Sequence, residues 1–136
     1  MGRVLAIDYG KIRTGLAISD IQRIIASPLQ TVDTKNLFAF LDEYLNREEV
    51  DEFVVGLAKQ MDNTPSESSV YIEPFVQELS LRYPQKKINR IDERFTSKIA
   101  TQSILSAGAN KKQRRDKRLV DLVSAVIILQ DFLNSK

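Results

Sequence analysis

The sequence predicts an α/β protein: a mixed five-stranded central sheet with helices on both faces. Three observations predict it. The short, continuous apolar run VLAI at 4–7 and the largely apolar EFVVGLA at 52–58 have the length and composition of buried strands. The run TGLAIS at 14–19 follows the first after only a few residues, which suits an antiparallel hairpin. Beyond residue 36, segments of helical period alternate with strand-like runs, the pattern of parallel strands reached by crossovers.

The elements follow in order. Gly10 allows the turn between the first two strands. IIASPLQTV at 24–32 is a third extended run, and Pro28, which cannot donate to a ladder, places it at a sheet edge or a bulge. From Asn36 the period changes, with Leu37, Leu41, Tyr44 and Leu45 on one helical face. After the fourth strand, MDNTPSES at 61–68 is turn chemistry. It leads to a helix through Ile72, Phe75, Val76, Leu79 and Tyr83 that starts or kinks at Pro74. KINRIDERF at 87–95 is the fifth strand. Thr96 or Ser97 caps a third helix that Gly108 ends. Asp116 is the expected N-cap of a last helix, LVDLVSAVIILQDFL, which is apolar nearly all round and therefore expected to be buried. The first three strands are antiparallel, and the fourth and fifth run parallel to the first. This order is that of ribonuclease H-like folds.

A chain of 136 residues favours a single domain over residues 1–136, and 43% apolar residues suffice for a core. No apolar run approaches the ~20 residues of a membrane span, and no signal-peptide layout precedes the first strand. Cysteine is absent, which excludes disulfides and thiolate zinc sites and is consistent with a reducing compartment. Histidine is absent as well, removing the commonest general base and zinc ligand. Hydrolytic chemistry here must use carboxylates, lysine, hydroxyls or hard metal ions.

Topology decides which carboxylates can meet. The C-terminal ends of parallel strands line one sheet edge, where sites of open α/β sheets form. Asp8 ends the first strand, Asp92 and Glu93 end the fifth, and Asp62 follows the fourth. Asp92 and Glu93 point to opposite faces while strand geometry holds, so one of them reaches the site. Asp20 ends the antiparallel second strand and belongs to the far edge. Asp121 lies on an otherwise apolar helix face among Val120, Leu122, Val123, Ala125 and Val126. A buried carboxylate there needs a cation, or a place in the helix's first turn where the dipole favours it by about 0.3–1 kcal/mol. Together with acids at two strand ends, a shared Mg²⁺ or Mn²⁺ site of one or two ions is the better explanation. The competing reading of Asp8 alone is an Asx turn, the less favoured of the two.

The cations are local. NKKQRRDKR at 110–118 carries six bases, Lys111, Lys112, Arg114, Arg115, Lys117 and Arg118, against one acid. It immediately precedes the helix bearing Asp121, which favours contact with a nucleic-acid backbone over a merely solvated loop. Lys11, Arg13 and Arg94 are further phosphate-contact candidates.

At these residues the chain closely resembles the YqgF (RuvX) family of bacterial ribonuclease H-like proteins, relatives of the Holliday junction resolvase RuvC. Four blocks carry the resemblance in order: IDYGKIRTGLAISD, VVGLAKQMDNT, IDERFTS and DKRLVDLVSAVIIL. The resemblance implies a cytoplasmic nuclease that matures the 5′ end of pre-16S rRNA within ribosome precursors. It assigns the catalytic metal-site acids to Asp8, Glu93 and Asp121. Two positions depart from the family pattern: Ala58 stands where Gly-Leu-Pro is usual, and Asn63 stands where a glycine commonly follows Met-Asp. RuvC carries an acid at the end of its fourth strand, where this chain has Leu57 and Ala58, so the second acid falls to Glu93.

Three rivals stand beside this reading. Cleavage of branched DNA in the manner of a junction resolvase is the nearest. An actin-like ATP-binding fragment shares the Asp8-x-Gly10 and Thr14-Gly15 hairpin but needs a second glycine-rich loop, and the remaining glycines, at 2, 56 and 108, do not supply one. A noncatalytic nucleic-acid-binding module would not need all three acids.

Overall fold

The structure, a computed structural model, describes residues 2–57, 69–92 and 116–135. The first strand, β1 (Arg3–Asp8), is followed by β2 (Arg13–Ser19) and β3 (Ala26–Asp33). A 3₁₀ turn (Thr34–Asn36) leads into α1 (Leu37–Arg47), then β4 (Val50–Leu57), α2 (Ser69–Arg82), β5 (Lys87–Asp92) and α3 (Lys117–Asn134). The helix expected from Thr96 or Ser97 to Gly108 lies outside the described residues.

The sheet order is β3-β2-β1-β4-β5, antiparallel across β1/β2 and β2/β3 and parallel across β1/β4 and β4/β5. Two antiparallel steps make β3 parallel to β1. The C-terminal ends of β1, β3, β4 and β5 therefore share one edge with the start of β2. Pro28 sits on the edge strand, where its missing N–H costs no ladder bond, next to a register shift opposite Leu16 and Ala17.

Period-two alternation in the central strands divides the core into two layers. Leu5, Ile7, Leu16, Phe53 and Val55 pack with Leu37, Leu41 and Tyr44 of α1 and Ile72, Phe75 and Leu79 of α2. Val4, Ala6, Ala17 and Val54 pack on the other face against Ala125, Ile128, Leu129, Phe132 and Leu133 of α3. Strand β1 is buried on both sides, which is why its sequence is continuously apolar. Each fully buried Leu or Ile contributes about 1.5–3 kcal/mol.

Two expectations change in detail. Helix α2 begins at Ser69 and runs through Pro74. Ile72 and Phe75, buried on either side of the proline, supply the packing that carries the helix past its lost hydrogen bond. Helix α3 buries one face, with Leu122, Val123, Val126 and Ile127 only half-buried, because it is an outer layer on the sheet. Asp116 is its N-cap, accepting from the N–H groups of Arg118 at 3.0 Å and Leu119 at 3.4 Å.

Candidate active site

The site is assembled at the shared strand edge, on the face covered by α3. Asp8 ends β1 and falls on the α3 face by alternation with Val4 and Ala6. Its partner across the β1/β2 ladder is Gly15. A Cβ on Gly15 would lie 2.1 Å from the backbone oxygen of Asp121, so only glycine lets α3 come this close. Asp8 and Asp121, 113 positions apart in sequence by their numbers, thus flank the same glycine.

Asp121 lies beyond the first turn of α3, which holds no acid, so the helix dipole does not account for it. Its side chain is three-quarters buried and accepts from Arg13 Nε at 3.1 Å. Burial pushes its carboxyl above the usual range. The hydrogen bond and charge of Arg13 oppose this, as do Arg118 and Lys117 more weakly, yet burial prevails. One helical turn on, the buried hydroxyl of Ser124 has no hydrogen-bond partner among the described residues. A buried, incompletely compensated carboxylate beside a second strand-end acid suits a hard cation with oxygen ligands. Among the described residues, no three acids form a metal-binding group.

Arg13 is thereby the cation that Asp121 requires. It opens β2 opposite Asp33, and its alternation with Gly15 and Ala17 directs it to the α3 face. The turn before it is tight: a Cβ on Gly10 would lie 2.3 Å from the Arg13 oxygen. Tyr9 stacks on Phe75 with ring centroids 4.2 Å apart, fixing the end of β1 against α2.

The predicted cations separate. Lys11 is exposed in the β1–β2 turn, and Lys117 is exposed at the start of α3. Arg118 is ion-paired with Asp33 and donates from Nη1 to the Thr31 oxygen at 3.1 Å. Thr31 Oγ1 returns a hydrogen bond to the Arg118 oxygen at 2.7 Å. These bonds dock the start of α3 on β3, one turn before Asp121. Asp20 sits at the far edge, as its strand direction requires. The backbone of Asp92 ends β5 opposite Leu57. Glu93, Asp62, Arg94, Lys111, Lys112, Arg114 and Arg115 lie outside the described residues. Sequence reasoning missed the roles of Gly15 and Arg13; a glycine within an apolar strand was the available signal for a close backbone approach.

Comparison with known proteins agrees with this architecture. Residues 2–135 match the family model described as RuvX, Holliday junction resolvase. A protein of Porphyromonas gingivalis, named as a candidate pre-16S rRNA nuclease, is 53% identical over 99% of this chain and 98% of its own length. Similarly named proteins of Christiangramia forsetii and Parabacteroides distasonis are 50% and 51% identical, covering 98% and 100% of this chain and 98% and 97% of their own lengths. Among solved structures, T. thermophilus RuvC in complex with a Holliday junction substrate superposes with a TM-score of 0.60 at 15% identity, over 99% of this chain and 95% of that one. The fold is ribonuclease H-like.

Proposed function

The chain belongs to the RuvX family, and on that premise we propose that it is a metal-dependent nuclease that cleaves phosphodiester bonds in 5′-end processing of pre-16S rRNA. It acts as a single domain, in the cytoplasm, on RNA of the ribosome precursor. The observation that carries the reading is that Asp8 and Asp121 flank Gly15, with Asp121 buried beyond what Arg13 compensates. Similarly named relatives support the substrate.

Asp8, Asp121 and Glu93 would hold Mg²⁺ or Mn²⁺. Glu93, which follows β5 in sequence, is assigned by the family resemblance. When bound, such an ion supplies Lewis acidity and neutralises charge on the phosphate. The chain's own residues do the rest. Arg13 Nε orients Asp121 and leaves its other donors for a phosphate oxygen. Gly10 keeps the turn narrow, and Lys11 attracts the strand. Lys117, with Arg94, Lys111, Lys112, Arg114 and Arg115, contacts the backbone further along.

The test is cleavage by the purified protein in Mn²⁺, offered a labelled pre-16S leader RNA and a four-way DNA junction. RNA should be cut. Asp8→Asn, Glu93→Gln and Asp121→Asn should each lower the rate by at least ~100-fold, the upper range for losing even an outer-shell partner of a metal site. Asp92→Asn should retain more activity than Glu93→Gln. Cutting of the junction alone would favour the second reading, branched DNA, which the description of the family model supports.

A further inference from the structure

Because β3 is parallel to β1, its last residue, Asp33, ends on the same sheet edge as Asp8, and the 3₁₀ turn Thr34–Asn36 rises from that edge. This turn is tied to the β1–β2 turn. Thr34 N–H donates to the Ile12 oxygen at 2.8 Å, and Thr34 Oγ1 donates to the Gly10 oxygen at 2.7 Å. Thr14 Oγ1 lies 2.9 Å from Thr34 Oγ1; since Thr34 gives its proton to Gly10, Thr14 is the donor in that pair. The two turns are therefore held in one arrangement. Between them, Lys11, Ile12, Asp33 and Lys35 line an open pocket of about 360 Å³.

The acid in this pocket does not neutralise its lysines, because the Asp33 carboxylate is ion-paired with Arg118. Neither Lys11 nor Lys35 makes an ion pair or a side-chain hydrogen bond among the described residues. Two ammonium groups beside one cleft, without a counter-ion among the described residues, attract a polyanion. Ile12 is 68% exposed, and it offers the same ligand an apolar surface. The pocket adjoins the candidate active site through one strand pair: Arg13, which holds Asp121, lies opposite Asp33.

We infer that this pocket is a backbone subsite in which Lys11 and Lys35 bind neighbouring phosphates of the nucleic-acid strand leaving the active site, with Ile12 against the sugar and base between them. The inference rests on the nuclease reading and deepens it. The strand passes over the β1–β2 turn towards the start of α1. Lysine reads phosphate as a point charge, so RNA and DNA strands share the chemistry and the experiment separates them.

The experiment is fluorescence anisotropy with a fluorescein-labelled single-stranded RNA, and with DNA of the same sequence, without divalent ions so that no cleavage intervenes. For single strands the slope of log K against log salt is about 0.7 per phosphate contact. Lys35→Gln should reduce the slope by about 0.7, and Lys11→Gln/Lys35→Gln by about 1.4. Lys35→Arg should restore it. Lys87→Gln removes the same charge at the opposite sheet edge and should leave the slope unchanged. A loss in both the RNA and DNA arms supports the phosphate contact, and a larger loss with RNA adds the ribose. Equal effects of Lys35→Gln and Lys87→Gln would overturn the subsite, leaving only diffuse charge. If the wild type cleaves RNA in Mn²⁺ while Lys35→Gln changes neither slope nor cleavage, the subsite falls and the nuclease reading stands. A wild type that binds neither strand overturns both.

Discussion

The two edges of the sheet use the same residue types to opposite ends. At the far edge Asp20, Asp51 and Glu52 are each satisfied. Asp51 accepts from the Gly2 N–H at 2.7 Å and pairs with Arg23 at 3.1 Å. Glu52 pairs with Arg23 and accepts from Asn89 at 3.0 Å. Arg23 Nε also donates to the Gly2 oxygen at 2.9 Å, and these contacts hold Arg23 at a φ of 60°, strained for a residue with a Cβ. Asp20 accepts from the N–H groups of Ile24 and Ile25, and the bond from Ile25, then that from Ile24, holds its carboxyl below the ordinary range. At the strand-end edge, Asp121 is hydrogen-bonded to Arg13, yet burial holds its carboxyl above that range. One edge fastens the fold; the other leaves a carboxylate whose burial outweighs its cationic partners among the described residues, the arrangement a metal site would use.

The largest effects should come from breaking each edge in turn. Gly15→Ala sets a Cβ against the backbone of Asp121, and α3 must move. It should cost about 2–3 kcal/mol of stability and also abolish cleavage. Arg23→Ala leaves Asp51 and Glu52 without their shared partner and should cost about 2 kcal/mol, while the folded fraction keeps its cleavage rate. Denaturant titrations paired with rates per folded molecule check both. Equal loss of activity in the two variants would erase the distinction between the edges.

A smaller effect has opposite signs at the two edges. Asp121 is raised in the folded state, so the unfolded chain releases this proton first as pH rises. Stability from this group is greatest in acid and falls as pH climbs through the carboxylate range to the folded value. Asp121→Asn should therefore be more stable than the wild type near neutrality, with the gain fading on acidification. Asp20 is lowered, so its contribution is present above the unfolded value and lost as pH falls through the folded one. Asp20→Asn should be the less stable protein near neutrality, with that loss shrinking in acid. Denaturant midpoints for both variants, near neutral pH and in mild acid, read the signs directly. The same sign at both edges would break the comparison.

Much of the strand-end edge was legible in the sequence. A continuous apolar run ending in Asp8, an acid on an apolar helix face at Asp121, and Asp116 before that helix are local patterns, and each reports its own element. Pro28 likewise located the edge strand. What was not legible depends on docking between distant segments. The Arg13–Asp121 bond exists because Gly15 lets α3 settle on β2, so phosphate contact was the natural expectation for Arg13. Arg118, read as part of a basic run, is claimed by Asp33 and Thr31 of β3. The clasp around Arg23 had no sequence signal at all, because a left-handed arginine gains its place only from acceptors contributed by two other segments.

Under the proposed function, Asp8 and Asp121 help to hold a divalent cation. Thermal melts of the wild type, Asp8→Asn, Asp121→Asn and Asp20→Asn, each with and without Mn²⁺, test it most directly. A ligand bound only by the folded state at ~100-fold its dissociation constant adds about 2.7 kcal/mol. Mn²⁺ should raise the melting temperature of the wild type and of Asp20→Asn alike, and should raise Asp8→Asn and Asp121→Asn distinctly less. Melting points of Asp8→Asn and Asp121→Asn that respond to Mn²⁺ as fully as the wild type would contradict the account.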